Sequence, residues 1–132
     1  MAKIFIMIYP WSIKYKDKIF SELDRLGRKL EEKEVKPAEK IIKKQFGKYM
    51  NKSFYRQIVS DFKNKRVLIA VYGGNYNEFA KKKEKLREKY GHYSKLAIKG
   101  KHRGAVLHTS RNRDEYEKET KLWRDYLNDI VN

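Results

Sequence analysis

Two stretches of this chain are apolar without interruption, Ile4-Phe-Ile-Met-Ile-Tyr9 and Val67-Leu-Ile-Ala-Val-Tyr72. Their length, their β-branched and aromatic content and their lack of polar alternation predict strands buried on both faces. The alternative is a strand covered by helices and by a partner subunit. Ala105-Val-Leu107 is a shorter candidate strand that delivers His108 at its end. Elsewhere the apolar period changes to three and four. Ile19, Phe20, Leu23, Leu26 and Leu30 mark one helix, with Gly27 a stop signal within the pattern, and Phe54, Ile58 and Phe62 mark another. Pro37, tolerated in a first turn, opens a helix through Ile41, Ile42 and Phe46. The last helix has the clearest start: Asn112 is placed to cap it, and Glu115 stands three residues on, where a capping box reaches back. Its apolar face is Tyr116, Thr120, Trp123, Leu127 and Ile130, with Glu119 beside that face and able to point under the strand end that carries His108. Residues 29–36 suit a continued helix or a strand equally well.

Read in order, these elements give strand, helix, strand, helices, strand, strand, helix. That is the order of an α+β, ferredoxin-like antiparallel sheet with helices on one side. The 132 residues suit a single domain spanning 1–132, with no internal repeat and no low-complexity linker. There is no cysteine, which rules out disulfides and thiolate metal sites. No apolar run has the length of a membrane helix, and the first residues lack a signal-peptide pattern, so a soluble cytoplasmic protein without membrane contact is expected.

Charge changes the picture most. The formal net charge is +16, and residues 81–103, from Lys81 to Arg103, hold ten Lys/Arg against two Glu, half of the total. Such a field draws polyanions, whether nucleotides or nucleic acid, without choosing among them. Lys81-Lys-Lys-Glu-Lys-Leu-Arg-Glu-Lys89 alone also reads as an ordinary solvated helix face.

The chemistry is concentrated near the C-terminus. Ala105-Val-Leu-His108-Thr-Ser110 is followed by Glu117, Glu119 and then Leu122-Trp123. This resembles the active-site segment of nucleoside diphosphate kinases, an apolar triplet ending in His-Gly-Ser-Asp and a helix whose Glu-x-Glu leads to Leu-Trp at the same spacing. Ile4 to Pro10 resembles the family's first strand, which runs into Lys-Pro-Asp. Phe54-Tyr-Arg-Gln-Ile-Val and Val67 to Gly74 resemble its Phe-Phe-x-x-Leu-Val helix and the following strand. In order, these anchors cover nearly the whole chain.

The resemblance implies a phosphotransferase that moves the γ-phosphate of a nucleoside triphosphate to a nucleoside diphosphate through phospho-His108, with Mg2+ carried on the nucleotide phosphates. It also implies a homo-oligomer, dimer or hexamer, and an exposed edge strand over residues 29–36 with Leu30 and Val35 as its apolar contacts. A neutral imidazole nitrogen is a competent nucleophile at neutral pH, and it needs orientation more than activation. Glu119 is expected to fix the ring of His108, and the Ser110 hydroxyl to hold that carboxylate. For the nucleotide, the resemblance assigns Phe54 to base stacking, Phe46 to the same cleft, Lys95 to a phosphate, and Lys83 to a second phosphate with Lys82 and Arg87 as alternates. Core packing is the competing reading for Phe54 and Phe46, and His92 and His102 read as solvated loop residues.

Three positions depart from the family pattern. Tyr9 stands where the lysine of Lys-Pro-Asp contacts phosphate, Ala105 replaces an asparagine, and Arg111 replaces an aspartate. They leave open two alternatives: a nucleotide-binding relative with weakened catalysis, and a basic nucleic-acid-binding protein that uses residues 81–103.

Overall fold

The computed structural model describes residues 2–53, 55–91 and 105–127. Four strands, β1 (Ala2–Ile8), β2 (Arg28–Val35), β3 (Val67–Gly74) and β4 (Leu107–Thr109), form one sheet in the order β2-β3-β1-β4. Every neighbouring pair is antiparallel, as in a ferredoxin-like sheet. The two continuous apolar runs, β1 and β3, lie side by side at the centre, with Ile4 opposite Tyr72 and Ile8 opposite Leu68.

Their lack of alternation is explained by two cores, one on each face. Phe5, Met7, Ile69 and Val71 pack against α2 (Glu39–Gln45), α3 (Tyr55–Phe62) and α5 (Arg113–Leu122). Ile4, Ile6, Ile8, Leu68 and Tyr72 pack against α1 (Lys16–Leu23) and α4 (Tyr76–Tyr90). The expectation of helices on one side is therefore corrected: helices of the same chain cover both faces. Each fully buried side chain of this size stabilises the fold by roughly 1.5–3 kcal/mol, so β1 alone, with Ile4 through Ile8 inaccessible to solvent, is a major contributor.

Several boundaries differ from the pattern-based reading, for local reasons. The first helix stops at Leu23, and Leu30 belongs to β2. The turn between them brings Gly27 against the backbone of Gly73 on the neighbouring strand; a Cβ there would collide with the Gly73 carbonyl, whose carbon would lie 3.1 Å away. Pro37 stands ahead of α2, which begins at Glu39 after Ala38 in the cap position. The last helix ends at Leu122 and continues as a 3-10 turn, Arg124–Tyr126. Ile130, assigned to its apolar face, lies outside the described residues.

The edge strand over residues 29–36 is present as β2. Leu30 and Val35 are five positions apart and would fall on opposite faces of a regular strand. Yet both pack on the core that contains Phe5. A bulge resolves this: Lys29 pairs with Tyr72 and Glu31 with Val71, so Leu30 is the extra residue.

Gly27→Ala is expected to lower stability by about 1–3 kcal/mol, because the added methyl meets backbone that cannot step aside without shifting β3. Equilibrium denaturation with an unchanged midpoint would contradict this close approach.

Candidate functional site

β4 pairs with β1 through three residues, with His108 opposite Met7. His108 is therefore mid-strand rather than just beyond the strand's end. The ladder continues on both sides: the Tyr9 amide donates to the Val106 carbonyl at 3.1 Å, and the Ser110 amide to the Phe5 carbonyl at 3.0 Å. Strand alternation sends Leu107 to the core beneath α1 and α4 and turns His108 to the opposite face, 6.4 Å from the Phe5 ring between centroids. Only 13 % of its side chain is exposed.

A chain of polar contacts fixes the imidazole. The Trp123 indole donates to Gln45 Oε1 at 2.8 Å, and Gln45 Nε2 donates to Glu119 Oε2 at 2.8 Å. The same carboxylate oxygen contacts His108 Nε2. This relay links α2, α5 and β4, and it is anchored on Trp123, which is fully buried. Glu115 Oε1 lies 3.7 Å from the same imidazole nitrogen. Asn112 caps α5 by accepting from the Glu115 amide at 2.9 Å. The reciprocal arm is displaced by one residue: the Glu115 carboxylate accepts from the Arg111 amide at 3.3 Å and from Arg111 Nε at 3.0 Å.

Ser110 does something other than expected. Its hydroxyl accepts from the Phe5 amide at 2.7 Å, and the residue is wholly buried. It extends the β4–β1 pairing in place of holding Glu119, and Gln45 takes that role.

The cleft in front of His108 has a volume of about 550 Å3. α4 contributes Lys83 and Arg87 to it, α2 and the turn after it contribute Lys44 and Lys48, and Arg111 and Lys118 complete the cationic lining. Lys83 has its pKa lowered, first by burial and then by neighbours that include Arg87 and Lys48. Among the described residues no carboxylate pairs with it. Arg87 Nε is buried without a hydrogen-bond partner among the described residues. Of the expected alternates, Lys83 and Arg87 reach the cleft together, one helical turn apart. Lys82 does not; it pairs with Glu22 of α1 at 3.4 Å, as does Lys89. In the described part of the basic stretch, Lys83 and Arg87 line the cleft, Lys82 and Lys89 pair with Glu22, and Lys81 and Lys85 are exposed. Phe54, Lys95, His92 and His102 lie outside the described residues.

Tyr9 and Phe46 line the cleft and are also core residues. The Tyr9 ring packs 5.2 Å from Trp11, 5.4 Å from Phe62 and 6.3 Å from Phe46, and Phe46 lies 5.0 Å from Phe62. Burial pushes the Tyr9 hydroxyl well above the ordinary phenol range, with Tyr49 adding to the effect, so it stays neutral. The segment that carries Tyr9 touches a second departure: Trp11, which follows Tyr9-Pro10, donates its indole N–H to the Ala105 carbonyl at 2.9 Å.

An antiparallel four-stranded sheet covered by helices, with a histidine on an edge strand facing a basic cleft, defines an α+β fold of nucleoside diphosphate kinase type. Solved structures agree. The enzyme from Encephalitozoon cuniculi superposes with a TM-score of 0.67 at 24 % identity over 93 % of this chain and 88 % of that one. Nucleoside diphosphate kinase from Aquifex aeolicus gives 0.71 at 15 % identity over 98 % and 96 %. The Halobacterium salinarum enzyme, solved with CDP, gives 0.63 at 20 % identity over 92 % and 86 %. No family model matches the chain, and no curated protein does. The shared property is the fold.

The Mg2+ implied by the family resemblance has little to hold it here. Magnesium favours one or two carboxylates together with substrate phosphates. The two carboxylates of the cleft are already engaged, Glu115 by Arg111 and Glu119 by Gln45 and His108. His108, Glu115 and Glu119 do present three donor atoms within 4.8 Å of one another, but an ion there would cover the histidine.

Two measurements check this geometry. Gln45→Leu strands the Trp123 indole and a Glu119 oxygen, and is expected to cost about 1–3 kcal/mol of stability. In a double-mutant cycle, Trp123→Phe should then cost less in the Gln45→Leu background than in the parent protein, and strictly additive effects would break the relay. Inorganic phosphate should raise the pKa of Lys83 toward the ordinary lysine value, since an anion in the cleft favours its charged form. An NMR titration in which the Lys83 resonance ignores phosphate would contradict an anion site at this position.

Proposed function

We propose that this chain is a nucleoside diphosphate kinase-like phosphotransferase that carries the phosphoryl group on His108. The observation that carries the reading is the placement of His108 in a cation-lined cleft with its Nε2 held by the anchored Glu119 carboxylate. Among the described residues no hydrogen bond or ion pair occupies Nδ1, which makes it the nucleophile. With Nε2 against the Glu119 carboxylate, the tautomer protonated on Nε2 is the one this reading uses.

The donor triphosphate lies with its γ-phosphorus facing Nδ1. Nδ1 attacks in line, the N–P bond forms, and the bond from phosphorus to the bridging oxygen breaks. The nucleoside diphosphate leaves with that electron pair. Positive charge that develops on the ring is shared through Nε2–H with Glu119. An acceptor nucleoside diphosphate then reverses the sequence, its terminal oxygen attacking the phosphohistidine and restoring neutral His108. Positioning and electrostatics account for most of the acceleration in such transfers. Lys83 and Arg87 reach the phosphates from α4 while Arg111 reaches them from the end of β4. Lysine serves as a point charge in place of a planar fork, so phosphate orientation depends more on Arg87 and Arg111.

Incubation with γ-labelled ATP tests the reading. The expected result is an acid-labile, base-stable phosphoprotein that chases to added nucleoside diphosphate and is absent in His108→Ala. Label that survives in His108→Ala would overturn the mechanism. Glu119→Gln should slow transfer about 10- to 100-fold while changing nucleotide affinity less, as expected for a group that orients the nucleophile.

Restoring a lysine at position 9 does not help this chain. Tyr9 is wedged among Trp11, Phe46 and Phe62, so Tyr9→Lys should lose about 2 kcal/mol or more by burying an ammonium. It should lower transfer as well. Higher activity at unchanged stability would show that the ring is dispensable to the cleft wall.

A further inference from the structure

The cleft around His108 has an unusual charge balance for a site that handles nucleotide phosphates. Among the described residues six cationic side chains line it, Lys44, Lys48, Lys83, Arg87, Arg111 and Lys118, against two carboxylates, Glu115 and Glu119. Counting also Glu84, which pairs with Arg87, three positive charges stand in excess. Among the described residues only two of the six are in ion pairs: Arg111 with Glu115 at 3.0 Å and Arg87 with Glu84 at 3.5 Å. The other four have no ion-pair partner among the described residues, and Lys83 holds its charge at a cost, since burial and neighbouring cations lower its pKa. An anion is the missing partner.

A metal-free nucleoside triphosphate carries roughly four negative charges at neutral pH, and one bound divalent cation leaves roughly two. The metal-free form carries enough charge to offset the whole excess; the magnesium complex leaves part of it unmatched and brings a divalent cation among six like charges. Neither carboxylate is available to draw that ion in. Glu115 is neutralised by Arg111, and Glu119 is committed to Gln45 and His108.

We propose that this cleft takes its nucleotide as the metal-free anion, with its own lysines and arginines supplying the charge neutralisation otherwise brought by Mg2+. The proposal rests on the phosphotransferase reading of His108. The transfer step is unchanged in its balance: the Nδ1–P bond forms, the bond to the bridging oxygen breaks, and the diphosphate leaves with the electron pair. What differs is which cations face the developing charge. Arg111 is central, because it stands beside the nucleophile and occupies the carboxylate that a metal would need.

Two readouts separate this inference from the function on which it rests. The first is phosphoenzyme formation from γ-labelled ATP in EDTA and in excess Mg2+. Labelling in EDTA at least as fast as in Mg2+ is expected, and labelling that requires Mg2+ overturns the inference while keeping the phosphotransferase. The second is calorimetric binding of ATP to the His108→Ala protein, which cannot turn over. Metal-free ATP should bind about tenfold or more tightly than the magnesium complex, which corresponds to about 1.4 kcal/mol. Equal or reversed affinities, or no detectable binding of either form, overturn the inference whether or not the protein has activity. No label under either condition, with the binding preference intact, removes the phosphotransferase and leaves metal-free nucleotide binding standing. Arg111→Asp should swing the binding ratio toward the magnesium complex, and an unchanged ratio would count against the role given to Arg111.

Discussion

The contact between Glu119 and His108 is the interaction on which the site depends, and it holds because it is anchored at some depth. A carboxylate beside an imidazole at the protein surface would sample many rotamers and lose side-chain entropy when fixed. Here Gln45 grips the carboxylate from α2, and the fully buried Trp123 grips Gln45 from the end of α5. The helices that supply these groups are in turn held by the apolar face of β1 and β3. Packing of one core thus sets the orientation of one ring nitrogen. β4 contributes the other half: it is only three residues long, yet the Ser110 hydroxyl and the Val106 carbonyl prolong its pairing with β1 beyond the strand itself.

The cations come together through tertiary structure. Lys83 and Arg87 belong to a helix that packs on one face of the sheet, whereas Lys44, Lys48 and Lys118 arrive from the other. They meet because β4 lies at the edge of the sheet, where side chains from both layers can close around it. Burial lowers the pKa of Lys83, and repulsion from Arg87 and Lys48 adds to the effect. A phosphate chain would relieve that repulsion.

Much of this was legible in the sequence where one physical demand dominates. β1 and β3 could be read because burial on both faces leaves no polar position, and His108 with Glu119 because the spacing to Leu122-Trp123 is specific. Other features were hidden because local pattern and tertiary demand diverge. Leu26 and Leu30 continue the period of α1, but the close passage of Gly27 over Gly73 ends the helix earlier and sends Leu30 into a bulged edge strand. Gln45 follows Lys43-Lys44 and looks like part of a solvated face. Its position one residue before Phe46, already assigned to the cleft, was the available signal. Ser110 matched the expected residue type, but its hydroxyl serves the backbone of Phe5. Tyr9 and Ala105 read as two separate losses, although the structure joins them through Trp11, which packs on the Tyr9 ring and donates to the Ala105 carbonyl.

The central claim is that Glu119 holds Nε2 so that Nδ1 of His108 accepts the phosphoryl group. Phosphorus NMR of the protein after exposure to nucleoside triphosphate, combined with correlation to the imidazole protons of His108, tests it most directly. A single phosphoramidate on Nδ1 of His108 is expected. Phosphate on Nε2, or on any other residue, would contradict it.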